Sequence, residues 1–340
     1  MKNNWFVLNS AALVLIGGLL GLSLILTSCG SKKNQTTTGD NKVNITPSIV
    51  NLTVGGGAFQ FSAEQVLSSG EVLKEAVFTW HSDDPSVLII DSNGFARGIK
   101  VGIAQVTATS GTSAGNSMTA SATVGVVSTN QGAANIILSG KVSYEDKVFN
   151  QDGFTGTIDP KPVRNTVLEL VAIDGFKPIA TGATDGLGNY TLTANNSAQR
   201  GGIYLRIISK TDPASDTKIT VQSNPFDQAL LAFRSSSMDD SLSQAQPFNA
   251  QNNILVTVSS GIGGAFNILD ALSSASEFVQ NSGPCPPPLT DCIPPLLTAY
   301  WERGSEDGTS FDSELSAISI LGGGGSNGDT DEYDDSVIIH

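Results

Sequence analysis

The stretch Gly102-Ile103-Ala104-Gln105-Val106-Thr107-Ala108 decides the fold class. Ala104, Val106 and Ala108 alternate with polar Gln105 and Thr107. That period of two places one face of a strand on a core and the other in water. The alternation recurs at Val50, Leu52 and Val54, at Phe59 and Phe61, at Phe78 and Trp80, and at Ala122, Val124 and Val126. Short alternating strands separated by turns predict a β-sandwich over residues 43–128. Asn93-Gly94 suits a tight hairpin that needs positive φ, and Trp80 supplies a large core-filling side chain.

Around that stretch, Trp80-His81-Ser82, Pro85-Ser86-Val87, Asp91, Asn93-Gly94, Gly98 and Gly102 to Ala108 follow one another in an order and spacing that resembles the bacterial Ig-like group 2 (BIG2) domain. His81 reads as a surface neighbour of Trp80. A lone histidine lacks the three or four ligands a zinc site requires.

A second β-rich segment spans residues 135–222. Gly140-Lys141-Val142 opens it, Pro162 to Ala172 and Ile203 to Ile208 read as strands, and Thr184 to Leu192 reads as a turn into a strand. The Thr184-Asp185-Gly186-Leu187-Gly188-Asn189-Tyr190 element is similar to one that recurs in carboxypeptidase regulatory-like, prealbumin-like sandwiches. That resemblance implies a supporting or carbohydrate-contacting role. Related sandwiches carry Lys-to-Asn crosslinks beside a glutamate, roles in which Lys141 and Glu169 can be imagined. The strand Ile203 to Ile208 offers no asparagine for it, and an exposed ion pair is the plainer account.

Residues 223–340 change character. Phe266, Ile268, Leu269, Leu272 and Phe278 recur at helical spacing within Gly264 to Val279, Ile254 to Val258 reads as a strand, and so does Ala299-Tyr300-Trp301. The fold class is therefore mainly β, two tandem sandwiches followed by a partial α+β segment. The run Asp329 to Asp335 reads as a solvated acidic loop, since it departs from the EF-hand spacing.

The N-terminus carries Lys2, an apolar and small-residue run from Ala11 to Leu26, and then Leu26-Thr27-Ser28-Cys29. The run is about 16 residues, short of the roughly 20 that span a bilayer, so 1–28 reads as a signal peptide. Leu26, Thr27 and Ser28 resemble the bacterial lipobox, which implies lipidation of Cys29 and attachment to a membrane. Gly30 fits sorting to the outer membrane of a two-membrane envelope. Residues 29–42 then form a lipidated cysteine and flexible tether.

With Cys29 lipidated, Cys285 and Cys292 remain to close a small disulfide loop in an oxidising compartment. A zinc pair is the rival reading, and it lacks histidines nearby. The net charge of −14 excludes a nucleic-acid partner. Gly-x-Ser-x-Gly, phosphate-loop and dinucleotide motifs are absent, and no cofactor is implied.

The expected role is a lipid-anchored envelope or surface protein. Its modules would act as a stalk or adhesive unit that binds a glycan or a protein. A second reading starts from Gly264 onward, which resembles the lead-in to a zinc metallopeptidase domain. His340 sits where the first histidine of His-Glu-x-x-His would stand. The chain stops in the apolar run Val337 to Ile339, which reads as truncation, so zinc enters only under that alternative.

Overall fold

The computed structural model describes residues 41–340 apart from 74–75, 112–116, 152, 243–246, 284–295, 307, 324–329 and 340. Among them, strands dominate and the two sandwiches predicted above are both present.

The first module holds β1 (Lys42–Thr46), β2 (Ile49–Thr53), β3 (Phe59–Gln60), β4 (Ser62–Val66), β5 (Val72–Leu73), β6 (Phe78–Ser82), β7 (Leu88–Ile90), β8 (Phe95–Gly98), β9 (Gly102–Ser110) and β10 (Met118–Val127). One layer is the sheet β2-β10-β9-β6, and the other consists of the small sheets β1-β4-β5 and β3-β8-β7. The alternation in β9 works as read. Ala104, Val106 and Ala108 are buried while Gln105 is exposed, and Ala104 and Val106 join Leu52, Phe61, Leu88 and Val124 in one core. Asn93-Gly94 does turn the chain. Gly94 has φ +79° and donates its N–H to the Asp91 carbonyl. A Cβ there would sit 3.0 Å from Trp80, so the position needs glycine twice over.

The second module is organised by β11 (Ile136–Asn150), followed by β12 (Gly153–Pro162), β13 (Thr166–Ala172), β14 (Lys177–Ala183), β15 (Asn189–Ala194), β16 (Ile203–Thr211) and β17 (Ile219–Gln222). Residues 223–340 contribute β18 (Ala232–Arg234), β19 (Phe248–Gln251), β20 (Ile254–Val256), α1 (Gly263–Asn281), β21 (Leu297–Trp301), β22 (Ser310–Asp312), β23 (Ala317–Ile320) and α2 (Asp335–Ile338). Along β11, the first half is flanked by β15 and β19 and the second half by β12 and β20. The opposite sheet runs β14-β13-β16-β17-β21-β23-β22, with β18 on β16.

Residues 223–340 are thus woven into both sheets of the segment that precedes them. β19 and β20 add to β11, and β21, β23 and β22 extend β17. Where the β11 sheet ends, α1 continues its layer. Ile268, Leu269 and Leu272 pack on Val221, Ala299, Trp301 and Ile320, while Phe266 enters the main core. Phe278, which the helical spacing assigns to the buried face, is 74% exposed near the end of α1.

Between the modules lies a further apolar seam of Val101, Val127, Val171, Ile173 and Tyr204. It is reinforced by Asn51 Nδ2 donating to Asp174 at 3.2 Å and by Ser128 N–H donating to the Gly201 carbonyl at 2.7 Å. Asp240, fully buried, accepts hydrogen bonds from the N–H groups of Ala133 and Gly202 and from Asn196. The segment after β18 thereby ties down the connection between the sandwiches.

Candidate binding site

Among the described residues, a cluster of buried and half-buried charges lies where β11 and β12 meet α1. Tyr144 is fully buried on β11, and its hydroxyl lies 3.0 Å from Asn267 Oδ1 and 3.1 Å from Asp270 Oδ2. Burial, then the Asp270 charge, pushes its pKa far up, so it acts as a neutral donor. Asn267 Nδ2 donates to the Glu332 carbonyl and, at 2.8 Å, to Asp335.

Two cations compensate these acids. Lys161 Nζ sits 2.8 Å from Asp146 Oδ2 and 3.6 Å from Asp335 Oδ2. Arg164 Nε donates to Asp270 at 2.5 Å, while its other nitrogens reach Glu277 and Ser274. Burial raises the Asp146 pKa despite the Lys161 hydrogen bond, and its Oδ1 has no partner. For Lys161, burial opposes the charge, but Asp146 and Asp335 outweigh it and hold the ammonium protonated.

The acidic run is not a solvated loop. Glu332 is 7% exposed, and Tyr333 and Asp334 are buried. Asp334 caps α2 by accepting from Ser336 and Val337 N–H. Burial lifts the Glu332 pKa above its ordinary 4.5. The Trp301 indole N–H, buried beside this carboxylate, offsets only part of that rise. Lys147 Nζ lies 4.7 Å from the centre of the Tyr333 ring, a cation–π contact.

Over this cluster opens a groove of about 730 Å³, walled by Pro162, Ala271, Ala275, Phe278, Val279 and Ile339, with the neutralised ion pairs as its floor. A second groove of about 620 Å³, lined by Leu272, Phe311, Ile318 and Ile338, shares Ala275 and Ile339 with it. Each cation here is already matched to a carboxylate, which suits holding an apolar group better than activating a nucleophile. Among the described residues, no three His, Cys, Asp or Glu side chains gather as a metal site.

The chain is similar in part to several solved structures. The S-layer protein rSbsC matches at 16% identity and TM-score 0.22, covering 57% of this chain and 27% of that one. Mouse Cadherin-23 EC22-24 matches at 12% identity and TM-score 0.22, covering 64% and 66%. The Yersinia pseudotuberculosis adhesin InvE matches at 12% identity and TM-score 0.18, covering 58% of each. This chain spans about a quarter of the rSbsC length. No family model matches the chain, and no curated protein is similar to it. The fold assignment stands on the strand pairing described above.

Of the residues singled out from sequence, Leu26, Thr27, Ser28, Cys29, Cys285, Cys292 and His340 lie outside the described residues. His81 is exposed beside the half-buried Trp80. Lys141 and Glu169 are not paired. Glu169 on β13 binds Arg206, whereas Lys141 on β11 has no ion pair among the described residues. Sequence reading missed Arg164 and Asp270, which stand 106 positions apart. The available signal was Asp270 itself, a lone charge amid Ile268, Leu269, Ala271 and Leu272.

Proposed function

We propose that this protein is a cell-surface lipoprotein, lipidated on Cys29 and held in the outer membrane of a two-membrane envelope. Its two sandwiches form a stalk or adhesive unit for a glycan or protein ligand. One observation carries the reading: the seam of Val101, Val127, Val171, Ile173 and Tyr204 joins the modules into one body, which a stalk requires. Loops at the free ends of such sandwiches are where binding side chains are ordinarily placed. The lipobox residues Leu26, Thr27 and Ser28 support the anchor, and two or more acyl chains suffice to hold a protein at a bilayer. Among the described residues, no helix is long and apolar enough to cross a membrane.

The test is Cys29→Ser, followed by labelling with a radioactive fatty acid and membrane fractionation. The expected outcome is loss of label and release from the membrane fraction. A Cys29→Ser protein that stays in the membrane fraction sinks the anchor. The adhesive role is tested by whether cells displaying the protein bind a ligand-coated surface that cells lacking it do not.

A further inference from the structure

Three adjacent strands carry a row of charges in register: Glu169 on β13 faces Arg206 on β16, and Arg206 faces Arg234 on β18. Glu169 is taken by Arg206. Arg234 is therefore left opposite a like charge, an arrangement that costs stability when nothing compensates it. No carboxylate lies within ion-pair distance of Arg234 among the described residues.

Arg234 shares a notch with a second cation, Lys100. A polar notch of about 320 Å³ opens between the modules, lined by Ser86 and Lys100 of the first and by Arg234, Ser235, Ser236 and Ser237 of the other. Lys100 also lacks an ion-pair partner within reach. Asp84 lines the notch as well: its carboxylate accepts from Ser86 N–H at 3.0 Å and Ser86 Oγ at 2.6 Å and feels the Lys100 charge, so it offsets one of the two cations. The lining keeps one net positive charge on a chain whose formal net charge is −14. Ser236 and Ser237 hydroxyls have no hydrogen-bond partner among the described residues, so they are free to meet a ligand. Val101 and Ile103, at the edge of the notch, are also part of the seam, which holds its two halves in fixed relation.

We propose that this notch binds the oxyanion of an acidic saccharide, with Arg234 and Lys100 gripping the charge and the serines meeting the sugar hydroxyls. A guanidinium and an ammonium on opposite walls suit a carboxylate or sulfate. The mostly polar lining, with only Val87, Val101 and Ile103 apolar, favours a hydroxyl-rich ligand over a peptide segment with apolar side chains to bury. This deepens the adhesive reading by naming its ligand class and rests on that reading only for its biological use.

The experiment titrates trigalacturonate calorimetrically onto the full chain, beside neutral galactotriose, inorganic sulfate and a poly-glutamate peptide. The expected result is binding of trigalacturonate that weakens with salt and falls about tenfold, or ~1.4 kcal/mol, in Arg234→Gln and in Lys100→Gln. Lys100→Gln should melt like the parent and Arg234→Gln no lower than it, since neither side chain is buried and the latter change removes the like charge facing Arg206. Three results overturn the proposal: equal binding of galactotriose, equal binding of sulfate or poly-glutamate, or unchanged affinity in the two variants. Cell adhesion that persists in both variants removes the notch as the site and leaves surface presentation standing.

Discussion

Asp146 and Lys161 meet at 2.8 Å across β11 and β12, two residues off the direct register, in which Asp146 faces Asp159 and Tyr144 faces Lys161. The Asp146 side chain is only 8% exposed and the Lys161 side chain 31%. Removing the cation strands a buried carboxylate, and fully buried pairs lose roughly 3–5 kcal/mol when broken. Partial exposure of Lys161 reduces that, so Lys161→Ala should cost about 2 kcal/mol in urea unfolding. The double change Asp146→Asn with Lys161→Met should recover most of it. A double variant as unstable as the single one contradicts this account.

Glu332 gives a pH signature. Its pKa is raised in the folded chain above the ordinary 4.5, so between those values the folded state binds more protons than the unfolded one. Stability is then greatest below about 4.5 and falls as pH rises through the folded value. Asp146 has the same sign. Glu332→Gln should therefore be more stable than the parent near pH 7 and should narrow that advantage toward pH 4. Urea midpoints across this range check it, and parallel curves for the two proteins rule it out.

How much of this was legible beforehand depends on range. Alternation in β9 and the Asn93-Gly94 turn are local, because a strand face and a tight turn are set within a few residues, and both were readable. The first four apolar positions of α1 were readable for the same reason. Phe278 was not, because the β21–β23 surface that receives α1 ends before its last turn, leaving that side chain uncovered. The acidic run misled because Asp334 spends its charge on a helix cap and Glu332 is buried against Trp301, partners that sequence distance conceals. The weaving of residues 223–340 into both sheets depends on parallel pairings across long separations, such as Ile136 with Phe248, that no local pattern announces.

Asp240 should be the least tolerant residue of the connection. Its carboxylate serves three donors in the dry interior, so Asp240→Ala orphans all of them and should cost about 3 kcal/mol. Limited proteolysis should then cut within 128–134 first. Persistence of the parent melting temperature would falsify this role.

Gly125 offers a way to pry the modules apart. A Cβ there would lie 2.9 Å from Ile173 and 3.0 Å from Phe176 across the seam. Gly125→Leu should overpack the contact by about 1–3 kcal/mol, so that the modules melt in two separate transitions and the molecule is larger in solution scattering. One transition at unchanged dimensions shows the seam to be softer than its contacts indicate.

Phe278 should behave in the opposite way. Being exposed, it can be replaced by serine within about 0.5 kcal/mol, while binding of an apolar fluorescent dye to the groove it lines should drop. A marked loss of stability would mean the ring is covered.

The weaving of the last third into both sheets also fixes an order of assembly. The first module has all its strands once Val127 has been made, but the second cannot close until β19, β20, α1, β21 and β23 exist. Pairings of such sequence separation form slowly, because long loops must be closed before any contact rewards them. Until then Leu138, Leu168, Leu170 and Leu205 stay uncovered, and a partly made chain is open to aggregation. The same delay keeps more than half of the polypeptide unfolded during synthesis, the condition in which a chain can be threaded through a narrow translocation pore.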